Sequence, residues 1–126
     1  MKEIYLAEDT PEDTLLATAV LEKLGECHVT CFTDGLALFR SVHRKPPDLI
    51  LVDIIMPTLS GLAVTRLLKY DRRFEKLPVI VASSVFERDV RAQALALGAD
   101  AFLHKPYDPQ ELMTEVDRML RRNAPD

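Results

Sequence analysis

Apolar residues fall in two rhythms along this chain. Short, nearly unbroken apolar runs stand at residues 4–7, 49–52, 79–82 and 101–103, each closed by turn or polar residues. Such runs suit strands buried on both faces of a parallel sheet. The stretch from Cys27 to Phe32 alternates polar and apolar instead, as an edge or less buried strand would. Between these runs, apolar residues recur at helical spacing. Leu16, Val20 and Leu24 mark a first helix, begun at Thr10-Pro11-Glu12-Asp13 with Thr10 as cap and stopped by Gly25. Leu38, Phe39 and Val42 mark a second helix opened by Asp34-Gly35 and broken at Pro46-Pro47. Leu62, Leu67 and Leu68 mark a third, capped at Ser60-Gly61. A fourth is expected over 87–97, with a thin stripe of Val90, Ala94 and Leu97, stopped by Gly98. A fifth begins at Asp108-Pro-Gln-Glu111 and carries Leu112, Val116, Met119 and Leu120 on one face.

Strict alternation of strand and helix with short connections predicts a (βα)5 architecture. It is an α/β, doubly wound, five-stranded parallel sheet covered on both faces. The expected strand order is 2-1-3-4-5, the flavodoxin-like arrangement. The 126 residues suffice for one domain with one sizeable core, and 48% apolar with 29% charged residues is ordinary globular composition. A net charge of −4 gives no basic face for direct nucleic-acid binding. No apolar run is long enough for a membrane span and the first residues carry no signal pattern, so the cytoplasm is the expected location. Cys27 and Cys31, four apart on one strand, would lie roughly 13 Å apart, too far for a mutual disulfide. They are expected as buried, apolar-like thiols, with His28 pointing to the opposite face.

If every strand is parallel, the carboxyl edge of the sheet gathers Glu8-Asp9, Asp53, Ser83-Ser84 and Lys105. Open α/β sheets place their sites at this edge. Three crowded carboxylates raise each other's pKa unless a cation compensates, and Mg²⁺ takes such oxygen ligands while keeping several waters. Lys105 would add a fixed positive charge on the far side, leaving room for a phosphoryl group between metal, hydroxyl and ammonium. A carboxylate can itself be the nucleophile and form an acyl phosphate. No general base is needed, because Asp53 is ionised near neutral pH. Taken singly, each residue has a plainer use: the acids at a helix dipole, Ser83 as a cap, Lys105 on the surface.

Taken together, Glu8-Asp9, Asp53 with its following Ile-Ile-Met-Pro-x-x-x-Gly61, Ser83, Gly98-Ala-Asp100 and Lys105-Pro106 resemble the receiver domain of bacterial two-component response regulators over essentially the whole chain. The resemblance implies a single receiver domain over 1–126. Asp53 is then the phosphoacceptor for a phosphohistidine on a sensor histidine kinase or phosphotransfer protein. Asp9 and Asp53 would bind Mg²⁺ directly, Glu8 largely through water, and Ile55 through its backbone carbonyl. Ser83 and Lys105 would bind the phosphoryl oxygens, and Ser83 with Phe102 would form the switch. The output would be a downstream protein docking on the 87–122 face. The chain would be a signalling domain with at most slow autophosphatase activity rather than an enzyme.

Departures from the family pattern refine these expectations. Serine stands at 83 where threonine is frequent, and a second hydroxyl, Ser84, has no derived role. Ile55 and Val85, two residues after the acceptor and after the switch hydroxyl, offer no polar group to orient a hydrolytic water, so a long-lived phospho-Asp53 is expected. The last strand and helix lack the acidic pair and tyrosine common in dimerising regulators. Arg88, Arg91, Asp100, Glu111 and Arg118 remain available for cross-subunit pairs, which leaves homodimerisation on phosphorylation open. The chain's end at 120–126 favours a stand-alone receiver. The alternative is the N-terminal receiver of a longer regulator with a DNA-binding or enzymatic output. A flavodoxin is disfavoured because the acidic 8–13 loop would repel a flavin phosphate. An aspartyl phosphatase is disfavoured because Ile55 stands where it would carry its second acid.

Overall fold

The frame of the molecule is β3 (Leu49–Asp53), in which every residue is buried. A computed structural model describes residues 1–85 and 89–122. It gives the strands β1 (Lys2–Ala7), β2 (Cys27–Phe32), β3, β4 (Val79–Ser83) and β5 (Ala101–His104). These alternate with α1 (Pro11–Glu22), α2 (Gly35–Arg44), α3 (Gly61–Lys69), α4 (Val90–Ala96) and α5 (Pro109–Arg122). The five strands form one sheet in the order β2-β1-β3-β4-β5, all pairs parallel, as expected.

Strand alternation divides the interior into two layers. Ala7, Ile50, Val52, Val79 and Val81 face the layer built with Leu38 and Val42 of α2, Val64 and Leu68 of α3, and Val90 and Ala94 of α4. Ile4, Leu6, Leu49, Leu51 and Ile80 face the layer built with Ala17, Val20 and Leu21 of α1 and Leu112, Val116 and Met119 of α5. Shifting any central strand by one residue would exchange its two faces between the two layers.

Local chemistry starts the helices. The Asp34 carboxylate accepts from Ala37 N–H at 2.8 Å, the Ser60 hydroxyl from Ala63 N–H at 3.1 Å, and the Asp108 carboxylate from Gln110 N–H at 2.9 Å. Thr10 differs from expectation: its side chain makes no cap bond, and its carbonyl instead accepts from the Thr14 hydroxyl at 3.1 Å. Gly61 is required by proximity, because a Cβ there would collide with the Asp53 carbonyl. The start of α3 therefore rests directly on the backbone of Asp53.

Three side-chain expectations change. The buried face of α1 is Ala17, Val20 and Leu21, with Leu16 and Leu24 only partly covered. Apolar residues surround that helix, so periodicity alone could not choose its inner face, and Leu15 is left 74% exposed. In α3 the buried positions are Val64, Thr65 and Leu68, while Leu67 faces outward. Thr65 is admitted because its hydroxyl donates to the Gly61 carbonyl at 2.8 Å. Cys31 is exposed and Cys27 only partly covered, because β2 is an edge strand. The expected helix start at Glu87, with Arg88, and the terminal 123–126 lie outside the described residues.

Asp100, one of the residues expected to be available for pairing, is engaged within the chain. Lys69 Nζ lies 2.8 Å from its Oδ2, which also accepts from Val79 N–H at 2.8 Å, while an Arg122 guanidinium nitrogen lies 2.9 Å from its Oδ1. One carboxylate thus joins the ends of α3 and α5 to the starts of β4 and β5. Burial alone would raise its pKa, but Lys69, the Val79 amide and Arg122 outweigh burial and hold it below the ordinary range. A lowered folded-state value means this stabilisation is complete above the unfolded carboxyl value near ~4 and disappears as pH falls through the lower folded value. Asp100→Asn is expected to cost about 1–3 kcal/mol at pH 7, with the deficit against wild type shrinking toward pH ~2. Urea unfolding midpoints measured at both ends of that range check this.

Candidate functional site

Parallel strands bring residues distant in sequence to one edge. Glu8 directly follows β1 and is buried, Asp53 ends β3 at 5% exposure, and Ser83 ends β4 fully buried. Lys105 follows β5 and is also 5% exposed, whereas Asp9 stands outward into solvent. Carboxylate oxygens of Glu8, Asp9 and Asp53 lie within 4.8 Å of one another. The expected acidic triad is therefore assembled by the fold.

Lys105 does not sit apart from the acids. Its ammonium reaches Glu8 Oε1 at 2.7 Å, Asp53 Oδ2 at 2.7 Å and Asp13 Oδ2 at 2.9 Å. An ammonium has three protons, and all three are used. The other oxygens are engaged as well: Tyr107 O–H donates to Glu8 Oε2 at 3.2 Å, and Ile55 N–H to Asp53 Oδ1 at 3.3 Å. Among the described residues, no buried side-chain nitrogen or oxygen lacks a partner.

Asp13 and Tyr107 are the site residues that sequence reasoning missed. Asp13 had an evident use at the α1 dipole, but the first turn of α1 follows the β1 end directly, so its acids project toward the same edge. Tyr107 lies two residues past Lys105, across Pro106, and its position depends on a turn that periodicity does not describe.

The electrostatics remain acid-heavy, with Glu8, Asp9, Asp13 and Asp53 gathered around one ammonium. Burial pushes the Glu8 carboxyl up to about 7; the Lys105 bond opposes this and the Asp53 charge adds to it. Burial disfavours the Lys105 charge, yet its bonds to Asp53, Glu8 and Asp13 prevail and push its pKa upward. Burial and the Glu8 charge push the Tyr107 hydroxyl upward too, so it remains a donor. An excess of carboxylates, two of them buried and all hard oxygen donors, fits a divalent cation of the Mg²⁺ class.

The remaining candidates surround this centre. Ser83 Oγ accepts from Val85 N–H at 3.0 Å, and the Ser83 carbonyl accepts from Lys105 N–H at 2.8 Å. Phe102 is buried in the α4 layer, its ring edge-on to His104 at 5.0 Å. Ile55 is 58% exposed at the rim, Val85 is partly buried against the core, and Ser84 is exposed. The site is thus a buried carboxylate, Asp53, flanked by acids and an ammonium, with a hydroxyl on the adjacent strand.

Residues 4–117 match the response regulator receiver domain. Transcriptional regulatory protein BaeR of Escherichia coli is 32% identical over 99% of this chain, which spans about half (54%) of that relative's length. Protein PilH of Pseudomonas aeruginosa is 32% identical over 95% of this chain and 98% of its own length. Among solved structures, the receiver domain of sensor histidine kinase PA1611 from P. aeruginosa is 31% identical, with a TM-score of 0.85, covering 95% of this chain and 98% of that one. That domain was solved with a magnesium ion coordinated in its active-site cleft. The matched span includes every residue of the assembled edge, and the chain belongs to the response regulator receiver family.

Proposed function

We propose that this chain is a phosphoacceptor switch of a two-component pathway, acting in the cytoplasm. Asp53 would take a phosphoryl group from a phosphohistidine on a sensor histidine kinase or phosphotransfer protein. The observation that carries this reading is the Asp53 carboxylate, buried at the end of β3, 2.7 Å from Lys105 and clustered with Glu8 and Asp9. An Asp53 oxygen attacks phosphorus, the P–N bond breaks, and the imidazole leaves with the bonding electron pair. Glu8, Asp9, Asp53 and the Ile55 backbone carbonyl would hold Mg²⁺, which when bound supplies charge neutralisation at the phosphoryl oxygens. Lys105 and Ser83 would bind those oxygens. The chain then acts as a signalling domain with at most slow autophosphatase activity.

The phosphoryl group brings new charge and strong acceptors beside Ser83 and Lys105. Ser83 moving inward, with Phe102 following, would bias the surface made by α4, β5 and α5 toward a downstream protein partner. Full-length similarity to PilH favours a stand-alone regulator, while the half-length match to BaeR favours the receiver of a longer one. The length of the natural gene product separates the two.

Two outcomes are expected. Incubation with acetyl phosphate and Mg²⁺, read by intact mass, should add one phosphoryl group to wild type and none to Asp53→Asn; equal labelling of both would reject Asp53 as acceptor. The apolar side chains at Ile55 and Val85 should also make the acyl phosphate long-lived. Ile55→Asn or Val85→Glu is expected to speed its decay by about threefold or more, a modest gain from a polar group near the hydrolytic water and well short of the ~10²–10⁴-fold of a fully positioned general base. Decay followed by radiolabel loss at pH 7 gives the comparison, and unchanged rates in both variants would exclude this control of lifetime.

A further inference from the structure

We propose that Asp13 is a positioning residue for the Lys105 ammonium, giving it an anchor outside the group of carboxylates that a cation would use. The inference rests on the metal-site reading above and extends it to a fourth acid. Lys105 donates to Glu8, Asp53 and Asp13, at 2.7, 2.7 and 2.9 Å. Two of those acceptors belong to the oxygen cluster suited to a divalent cation, and Asp13 does not.

Ammonium and cation therefore compete for Glu8 and Asp53. The Lys105 side chain is 4% exposed, so it cannot swing freely into water when a cation draws on its partners. A buried ammonium stripped of acceptors is costly. Asp13 removes that difficulty. Its side chain is 24% exposed and sits in the first turn of α1 against the Lys105 head, so it would keep that head partnered when Glu8 and Asp53 are drawn to a cation. With Asp13 in place, the ammonium would stay beside Asp53 with one proton still held, leaving the others to be shared with a phosphoryl group. Without it, cation binding must leave the ammonium short of partners, or the ammonium must keep the carboxylates from the cation.

Affinity for Mg²⁺ alone, measured calorimetrically on the unphosphorylated chain, tests this. Asp13→Ala is expected to weaken Mg²⁺ binding about tenfold, the size of one charge-assisted hydrogen bond. Asp13→Asn keeps an acceptor without its charge and should weaken binding only about threefold. Glu12→Gln is the control, because Glu12 carries the same charge on the same turn and has no bond to Lys105. A field effect would weaken binding in Glu12→Gln too, to the degree its distance allows, whereas positioning leaves Glu12→Gln at the wild-type value. Thermal midpoints run in parallel show whether each variant is folded. If Asp13→Ala does not fold, the contrast between Asp13→Asn and Glu12→Gln decides alone. Wild-type affinity in the folded Asp13 variants, or equal losses in Asp13→Asn and Glu12→Gln, overturns the role of Asp13 and leaves the metal-site reading standing. Absence of Mg²⁺ binding by wild type overturns both.

Discussion

A single buried ammonium holds the carboxyl edge of this sheet together. Lys105 reaches acids from the end of β1, the first turn of α1 and the end of β3, up to 97 residues away in sequence. Because β4 lies between β5 and β3, a gap of about two strand spacings, roughly 10 Å, separates their ends, and the lysine stem and the acid side chains bridge it together. A long flexible stem with a compact three-proton head suits that task, and the planar fork of arginine would not meet three separate acceptors equally well. The fold supplies the reach by ending β5 at this edge. The charge then ties together three acids that would otherwise repel one another.

This arrangement explains why so acidic an edge is compatible with a stable domain. The two apolar layers hold the strands regardless of what their ends carry. At the ends, each charge is tolerated only through its partners, and positive charge falls short: one ammonium serves three acids with Asp9 beside them, and Glu8 is raised to about 7 by burial first and by the Asp53 charge in addition. A site in that condition gains from a cation. Its readiness to bind one and its stored electrostatic tension are the same property.

The architecture was legible because its signals are local and repeated. Buried strands read as unbroken apolar runs, and Asp34, Ser60 and Asp108 cap helices where their residue types suggest. The acidic triad was legible once the strands were taken as parallel, since strand ends fall on one edge whatever the side-chain details. What escaped depends on direction rather than period. Asp13 points into the site because of the tight turn between β1 and α1, and Tyr107 because of the turn after Lys105. Asp100 could equally have been a surface acid until Lys69 and Arg122, from different helices, were seen to meet it. The exposure of Cys31 followed from the edge position of β2, which its polar alternation had already suggested.

The proposed switch gains a mechanical route from the same contacts. The Ser83 hydroxyl accepts from Val85 N–H and, among the described residues, donates its own proton to none, so it could turn toward a phosphoryl oxygen and draw residues 84–85 with it. Those residues lead toward α4, seven residues long with only Val90 and Ala94 buried. Both pack in the layer that holds Phe102, so space vacated by Ser83 and movement of α4 are felt by the same ring. The fourteen-residue α5 is held differently, by Leu112, Val116 and Met119 in the opposite layer and by Arg122 on Asp100. A charge placed on Asp53 would therefore spend its work on α4, the element with least to lose, while α5 serves as the fixed wall against which that movement is read.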